Sequence, residues 1–409
     1  MQFCDKKRKM VIWIINEYAG SPYHGMEFRH YYIGKELVKR GYKVYIITAS
    51  YSHLFINPPS VCRSYKIENV DGINYVWIKV PQYKNSLDKM RVLKWFVFAF
   101  KTLFVRNLEK PDIIIVSPMA PFVSIPAYIL ARKNRAKFVF EVKDIWPLSI
   151  VELKVVSKKH PLIKLMEWSE IFSIRKADCI VSTLRNYSIY LLEKGILKEF
   201  KYINNGIETN LSDCNIEFSF MKIPENRFVV GYTGNIGISN SVEYLLRAAQ
   251  LLNSKGFRDK IYYVLVGDGY DKKRFEKDYT DNNIVFWPPV PKNCVNKILQ
   301  MFDVCFKGSP KKKIYEYGVS AYKIFDYMLA AKPILHSYSG EGDLIKEANC
   351  GITVEAENPE AIAEGILKLY NMSPEERKRL GENGRKYVLE HHTYEKIADK
   401  FEEVFRRLS

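Results

Sequence analysis

Residues 9–50 read KMVIWIINEYAGSPYHGMEFRHYYIGKELVKRGYKVYIITAS, and this stretch decides the fold. Lys9–Glu17 is a continuous apolar run rather than an alternating one, the pattern of a parallel strand buried on both faces. A loop, YAGSPYHGM, follows, then a helical segment that stops at Gly41, and a second strand, KVYIITAS, starts at once. A strand–loop–helix–strand unit of this kind builds a doubly wound α/β fold, in which ligands bind at the carboxyl ends of the strands. That rule places Glu17, Gly20, His24 and Gly25 at the edge of a site.

The pattern continues outward from this unit. INYVWIKV, PDIIIVSP, KFVFEV and DCIVST read as strands, separated by the basic aromatic segment around Trp95 and by PFVSIPAYILARKNR and LIKLMEWSEIFSIRKA as helices. KFVFEV runs into KDIWPLS, so Lys143, Asp144 and Trp146 arrive together at a strand's carboxyl end. Asp144 there suits either a catalytic role or the cap of the next helix. KYINNGIETN, with its Asn-Gly turn signal, marks a boundary. After a loop over about Ser212–Glu225 the pattern restarts with RFVVGYTGNIG and KIYYVLVGDG, each a strand closed by a glycine turn. The expected organisation is a first domain over 1–205, a second over 206–392, and a terminal helix over 393–409 crossing back to the first. The two doubly wound, Rossmann-like domains are expected to face each other across a cleft. A break in the terminal helices is expected near Gly381–Gly384.

A chain of 409 residues is too long for one core and suits two domains. A formal net charge of +17 calls for a partner or surface of opposite sign: nucleic acid, anionic lipid or a phosphorylated substrate. Nucleic-acid binding would need basic and aromatic residues interleaved on one face; no such face is read here, and no nucleic-acid partner is expected. The cysteines are scattered singly and none sits at metal-ligand spacing, so no metal is expected, and reduced, mostly buried thiols in a cytoplasmic protein are. No apolar run reaches the length of a membrane span. The stretch LDKMRVLKWFVFAFKTLFVRNLEK, basic at both ends, reads either as a helix packed on a sheet or as one lying in an anionic membrane surface through Trp95, Phe96 and Phe100.

The stretch most suited to a ligand is Gly318–Pro333, GVSAYKIFDYMLAAKP. Small residues opening into a helix leave backbone N–H groups unpaired at the positive end of the helix dipole, which suits a phosphate. Lys323, in the first turn, adds a point charge, and Asp326 shares its face. A carboxylate at that place suits sugar hydroxyls. Lys307, Lys311, Lys312 and Lys313 precede the cradle; at least two are expected to be solvated, and one or two to reach a diphosphate. His24 could touch ligand, His30 packs, and His391 and His392 are expected at the surface. The glycine turns are not GxGxxG, and a P-loop and GxSxG are absent, which argues against a dinucleotide oxidoreductase, an NTPase and a serine hydrolase.

Taken together, NGIE, GNIG, VGDG and SAYKIFDYMLAAKPI resemble the GT-B, family 4 (group 1) retaining glycosyltransferases over nearly the whole chain. EYAGSPYHGMEFRHYYIGKELVKRGYKVYIITASYSH and DIWPLSIVEL are similar to the branch that builds bacterial surface polysaccharides, including fucosamine transferases. The resemblance implies a nucleotide sugar, UDP-linked, held mainly by the second domain as substrate, with no cofactor and no metal. It implies a lipid-linked saccharide acceptor and a peripheral place at the inner face of the membrane. Asp326 matches the second acid of the family's E-x(7)-E motif, which holds ribose hydroxyls, while Gly318 stands in place of the first. Gly318, Val319, Ser320, Ala321 and Lys323 match the turn and lysine that meet the diphosphate. The glycine turns contribute Gly234, Asn235, Gly237, Gly267 and Asp268; Asn235 and Ser241 replace the family's usual arginine and lysine. Val290 matches the backbone position that reads the base, Gly25 lies in the first-domain loop, and Asp144 lies closest to the family's usual histidine. Catalysis would fall to Lys323 and Asp144. A GT-B sugar-nucleotide epimerase and a non-catalytic sugar-nucleotide-binding subunit are the alternatives.

Overall fold

The computed structural model describes residues 9–25, 27–84, 88–152, 156–210, 214–218, 221–320 and 322–409. It divides into two compact units, Met1–Asn205 together with Tyr394–Ser409, and Gly206–Thr393. Ala321 and part of the Ser212–Glu225 loop lie outside the described residues.

The first unit holds β1 (Val11–Ile15), β2 (Lys43–Ala49), β3 (Tyr65–Val70), β4 (Ile73–Ile78), β5 (Ile113–Val116), β6 (Lys137–Val142), β7 (Cys179–Ser182) and β8 (Phe200–Tyr202). They form one sheet in the order β3-β4-β2-β1-β5-β6-β7-β8. β1, a run of five fully buried residues, pairs in parallel with β2 on one side and β5 on the other. The only antiparallel pair among the described strands is β3–β4, joined by Asp71 and Gly72 at φ of 50° and 84°. Sequence reading did not anticipate β3; the Asp-Gly dipeptide, which supplies the two positive φ values of a tight hairpin, was its signal.

The helix Tyr394–Leu408 packs its apolar stripe into this unit: Ile397, Phe401 and Phe405 share a core with Ile12, Ile14 and Val44. Its charged side is tied down as well, with Arg40 bridging Asp399 at 2.8 Å and Glu402 at 2.7 Å. A buried ionic cluster lies at the carboxyl ends of the strands. Glu141 accepts from Arg29 at 2.8 Å and lies 2.7 Å from Nε2 of His30. Though burial pushes the Glu141 carboxyl up, Arg29 and His30 hold it well below the ordinary carboxylate range.

The second unit holds β9 (Phe228–Thr233), β10 (Ile261–Val266), β11 (Ile284–Trp287), β12 (Val304–Gly308), β13 (Ile334–Ser337) and β14 (Gly351–Val354), all parallel. The order β11-β10-β9-β12-β13-β14 reverses direction between β9 and β12, the switch point beside which doubly wound sheets bind ligands. The expected break near Gly381–Gly384 is absent. Pro374–His391 is one helix, started by a Ser373–Glu376 capping box. Gly381 serves close packing instead: a Cβ there would lie 1.9 Å from the carbonyl oxygen of Ala331.

Two further expectations are corrected. His392 is buried at 2% exposure and stacks on Phe325 with ring centroids 4.5 Å apart, because the chain turns inward after the helix. Cys214 and Cys294 form a disulfide rather than remaining reduced. Their separation of 80 residues in sequence hides a Cα–Cα distance of 4.8 Å, which only the fold creates. Cys179 is half-buried, Cys305 and Cys350 are buried, and Cys62 is exposed. The thiol pattern therefore lends no support to a reducing compartment.

Candidate functional site

At the carboxyl ends of β9, β10 and β11, a cleft of about 500 Å³ is lined by Gly234, Asn235, Gly267, Asp268, Val290, Lys323 and Asp326. These are seven of the residues singled out in the sequence. Thr233, Val266, Pro289, Lys292, Val295 and Tyr322 complete the wall.

Two glycine turns form its floor. The Gly234 N–H donates to Val266 O at 2.8 Å, and Ile236 N–H donates to Asp268 O at 2.9 Å, so the turns are stitched to each other. A Cβ on Gly267, at φ +146°, would lie 2.0 Å from Gly234 O. One on Gly234, at φ +129°, would meet Nζ of Lys323 at 2.7 Å. Glycine at both positions is what lets the turns close up and the lysine reach across them.

Lys323 enters from the helix Tyr322–Leu329. Its Nζ donates to Tyr232 Oη at 2.8 Å and to Asn240 Oδ1 at 2.9 Å, and lies 4.4 Å from the centre of the Tyr232 ring. Neither partner is a carboxylate. Burial, then the neighbouring Lys307, holds the ammonium well below the ordinary lysine range. A desolvated amine with no anionic partner is poised to be completed by an anionic ligand. Asp326 is held differently: both carboxylate oxygens accept from Lys292 Nζ, at 2.5 and 2.6 Å. Burial raises its carboxyl against the pull of Lys292. Lys292 was missed in the sequence; its signal was the Pro-Lys step closing WPPVPK just beyond a strand end. Lys272 was missed too, and ties Gly267 O and Trp287 O together at 2.9 Å each.

Other expected residues lie elsewhere. Gly237, extended at φ −178°, is buried in its turn and does not line the cleft, nor do Gly318, Val319 and Ser320, which lead into the helix. Ala321 falls outside the described residues. Of the lysines before the helix, Lys307 is buried, while Lys311 pairs with Glu355 at 2.9 Å on the surface.

In the first unit, Gly25 makes an antiparallel bridge to Phe55, where a Cβ would strike Leu54 O at 2.7 Å. His24 is 3% exposed, bonded to Ser21 at 2.8 Å and packed on Trp77, which makes it a packing residue rather than a ligand contact. His30 does more than pack, because it belongs to the Glu141 cluster. Asp144 is exposed beyond β6 and makes no hydrogen bond or ion pair among the described residues. Lys143 beside it pairs with Glu27. Glu17 is buried with Oε1 accepting from the N–H groups of Met119 at 3.1 Å and Ala120 at 2.8 Å.

Two family profiles match the chain. Glycosyltransferase Family 4 matches residues 23–211, and Glycosyl transferases group 1 matches residues 215–387. One glycosyltransferase family model thus matches each half of the chain, and the fold is GT-B. Sequence relatives are distant. An uncharacterized glycosyltransferase of Methanocaldococcus jannaschii is 26% identical over 57% of this chain, which spans 59% of that protein. The putative colanic acid biosynthesis glycosyl transferase WcaI of Escherichia coli is 25% identical over 65% of this chain and 69% of its own length. The capsular polysaccharide biosynthesis glycosyltransferase CapM of Staphylococcus aureus is 23% identical over 80% of this chain and 87% of its own. Among solved structures, sucrose-phosphate synthase from Thermosynechococcus elongatus superposes with TM-score 0.76 at 17% identity, covering 98% of this chain and 99% of that chain. Anabaena HepE, solved with UDP and glucose, gives TM-score 0.64 at 14% identity, covering 97% and 99%.

Proposed function

We propose that this glycosyltransferase moves a sugar from a UDP-sugar to a lipid-linked saccharide with retention of configuration and without a metal ion, in the assembly of a surface polysaccharide. The observation that carries the reading is the cleft itself. A lysine whose hydrogen-bond partners are a hydroxyl and an amide, and a carboxylate held by Lys292 at the rim, stand one helical turn apart over two interlocked glycine turns. The lysine suits the diphosphate and the carboxylate suits ribose hydroxyls, with Lys292 exchanging its contact to Asp326 for one to the ligand. Val290, on the wall, is the position for the base. The UDP bound by HepE and the polysaccharide roles in the names of WcaI and CapM agree with this assignment.

In the reaction the departing nucleoside diphosphate gains charge as the glycosidic bond to phosphate breaks. Lys323 and the start of its helix act on that charge, and contacts that strengthen as it develops are the ones that raise turnover. The acceptor is assigned to the first unit, with Asp144 the candidate to act on its hydroxyl. We place the protein at the cytosolic membrane face, where a nucleotide donor meets a lipid-linked acceptor.

Lys323→Ala should lower kcat by about 100-fold or more, the loss typical of a removed charge-stabilising donor. The melting temperature should stay near wild type. Transfer from a panel of UDP-, GDP- and dTDP-sugars to lipid-linked acceptors is the assay, with chelator added to test metal independence. Undiminished turnover in the folded variant would sink the assignment of Lys323.

A further inference from the structure

Behind Lys323 lies a second base that the proposed reaction has not used. Lys307 is on β12 and only 4% exposed, yet among the described residues no carboxylate meets its amine. Nζ donates to its neighbour's carbonyl, Gly308 O, and to Ser309 Oγ at 3.0 Å. In register on the next strand stands His336, and beyond it on β14 stands Thr353, so Lys307, His336 and Thr353 form a polar row across three strands. Asp343 closes the far end: its Oδ1 lies 2.9 Å from His336 Nδ1, and its Oδ2 accepts from Thr353 Oγ1.

The ring state of His336 follows from these contacts. Although burial pushes the Asp343 carboxyl up, His336 and Thr353 hold it below the ordinary range, so it stays ionised and accepts a hydrogen bond from Nδ1–H. That leaves Nε2 as a bare acceptor, and Nε2 is buried with no hydrogen-bond partner among the described residues. The ring is 2% exposed and lies flat on Tyr338, with centroids 4.8 Å apart. The charged groups around the cluster are Lys323 and Asp326 from the facing helix and Lys346 from the helix after Asp343. Asp326 is already taken by Lys292, and Asp343 by His336. The cluster therefore holds more bases than free anions.

Resting on the nucleotide-sugar reading, we propose that Lys307 is a positioning residue that takes up a proton from solvent when the nucleoside diphosphate binds, so that Lys323 and Lys307 together match the charge of the diphosphate. An amine has two donors, already placed on Gly308 O and Ser309 Oγ; an ammonium has three, and His336 Nε2 is an open acceptor on the same face. Burial lowers the Lys307 ammonium to about 7, so near neutral pH the residue sits between its two states. An arriving diphosphate favours the charged state. Donor affinity then falls as pH rises above 7, by about tenfold per pH unit for each proton taken up.

The test is calorimetric titration of the protein with UDP, GDP and dTDP at pH 8, in buffers of different ionisation enthalpy. The buffer dependence counts protons taken up, and any contribution from the ligand's own phosphate is common to all variants. Wild type should take up more protons than Lys307→Met by about one, and the affinity of the variant should lose its steep pH dependence. Lys307→Arg, permanently charged, should also lose about one proton of uptake while binding more tightly than Lys307→Met. Melting curves establish that each variant is folded. Equal proton counts in wild type and both folded variants, with nucleotide still bound, would overturn the role of Lys307 and leave the nucleotide-sugar reading standing. Absence of binding of all three nucleotides to wild type would overturn that reading and this inference with it.

Discussion

Glu170 shows how far a single residue can be moved by its surroundings. It lies on the helix Pro161–Lys176 at 2% exposure and accepts from Tyr190 Oη at 2.6 Å. Burial outweighs that hydrogen bond and Lys194, and raises the carboxyl from 4.5 to about 8. At neutral pH the folded protein holds a neutral acid here and the unfolded chain an ion. The raised value fixes the sign: the contribution to stability is complete below about pH 4.5 and is lost as pH rises through 8, at about 1.4 kcal/mol per pH unit. Glu170→Gln keeps an acceptor for Tyr190 and removes the ionisation. Its melting temperature should exceed wild type at pH 8.5 and match it at pH 5. A variant no better than wild type at pH 8.5 would refute the buried neutral acid. Asp326, also raised by burial, differs because Lys292 satisfies both its oxygens.

At the scale of elements, the cradle helix Tyr322–Leu329 is held in place by the long helix Pro374–His391, and Gly381 sets the closeness of that packing. Alanine in a helix interior is worth about 1 kcal/mol over glycine. Here a Cβ would lie 1.9 Å from Ala331 O and 2.5 Å from Ala331 C, atoms of the backbone that cannot swing aside. Overpacking of this kind costs about 1–3 kcal/mol, so the clash should win. Gly381→Ala is expected to lower the melting temperature by several degrees and to weaken UDP binding through the displaced helix; a melting temperature equal to or above wild type would contradict it. This contact also marks where sequence stopped being legible. Apolar runs and glycine turns revealed the alternating strands and helices, because burial on both faces leaves its record in consecutive residues. Two glycines inside a helix carry no such record, and read as a break they were misplaced. The cleft was legible where it depends on local chemistry, as at Gly234, Gly267, Lys323 and Asp326. It was illegible where partners come from elsewhere in the chain: Lys292 on Asp326, Asn240 on Lys323, His336 beside Lys307, and Cys294 on Cys214.

For the whole molecule, 63 lysines and arginines against 46 acids leave a net charge of +17, far more than one nucleotide needs. Attraction to an anionic membrane would use it. The helix Met90–Thr102 turns Trp95, Phe98 and even Lys94 inward, with Lys94 Nζ 3.7 Å from the centre of the Tyr18 ring. Its other side leaves Leu93 at 46%, Phe96 at 39% and Phe100 at 64% exposure, and Phe104 follows at 52%. Trp95, expected among the residues that dip into lipid, is therefore a core residue, and Phe104 joins Phe96 and Phe100 on the exposed side. Exposed Lys89, Arg106 and Lys110 flank these rings, the composition of a helix that lies in a headgroup layer. We predict that the protein sediments with vesicles containing phosphatidylglycerol and not with pure phosphatidylcholine, and is released by 0.5 M salt at least in part. Basic side chains near such a surface contribute about 1 kcal/mol each, while burying a phenylalanine contributes about 2 kcal/mol. Phe100→Asp with Phe104→Asp removes two anchors and adds two repelling charges, so vesicle affinity should fall by more than 100-fold while transfer to a water-soluble acceptor analogue continues. Binding that ignores vesicle charge, or survives the double substitution, would show that the charge of this chain serves another surface.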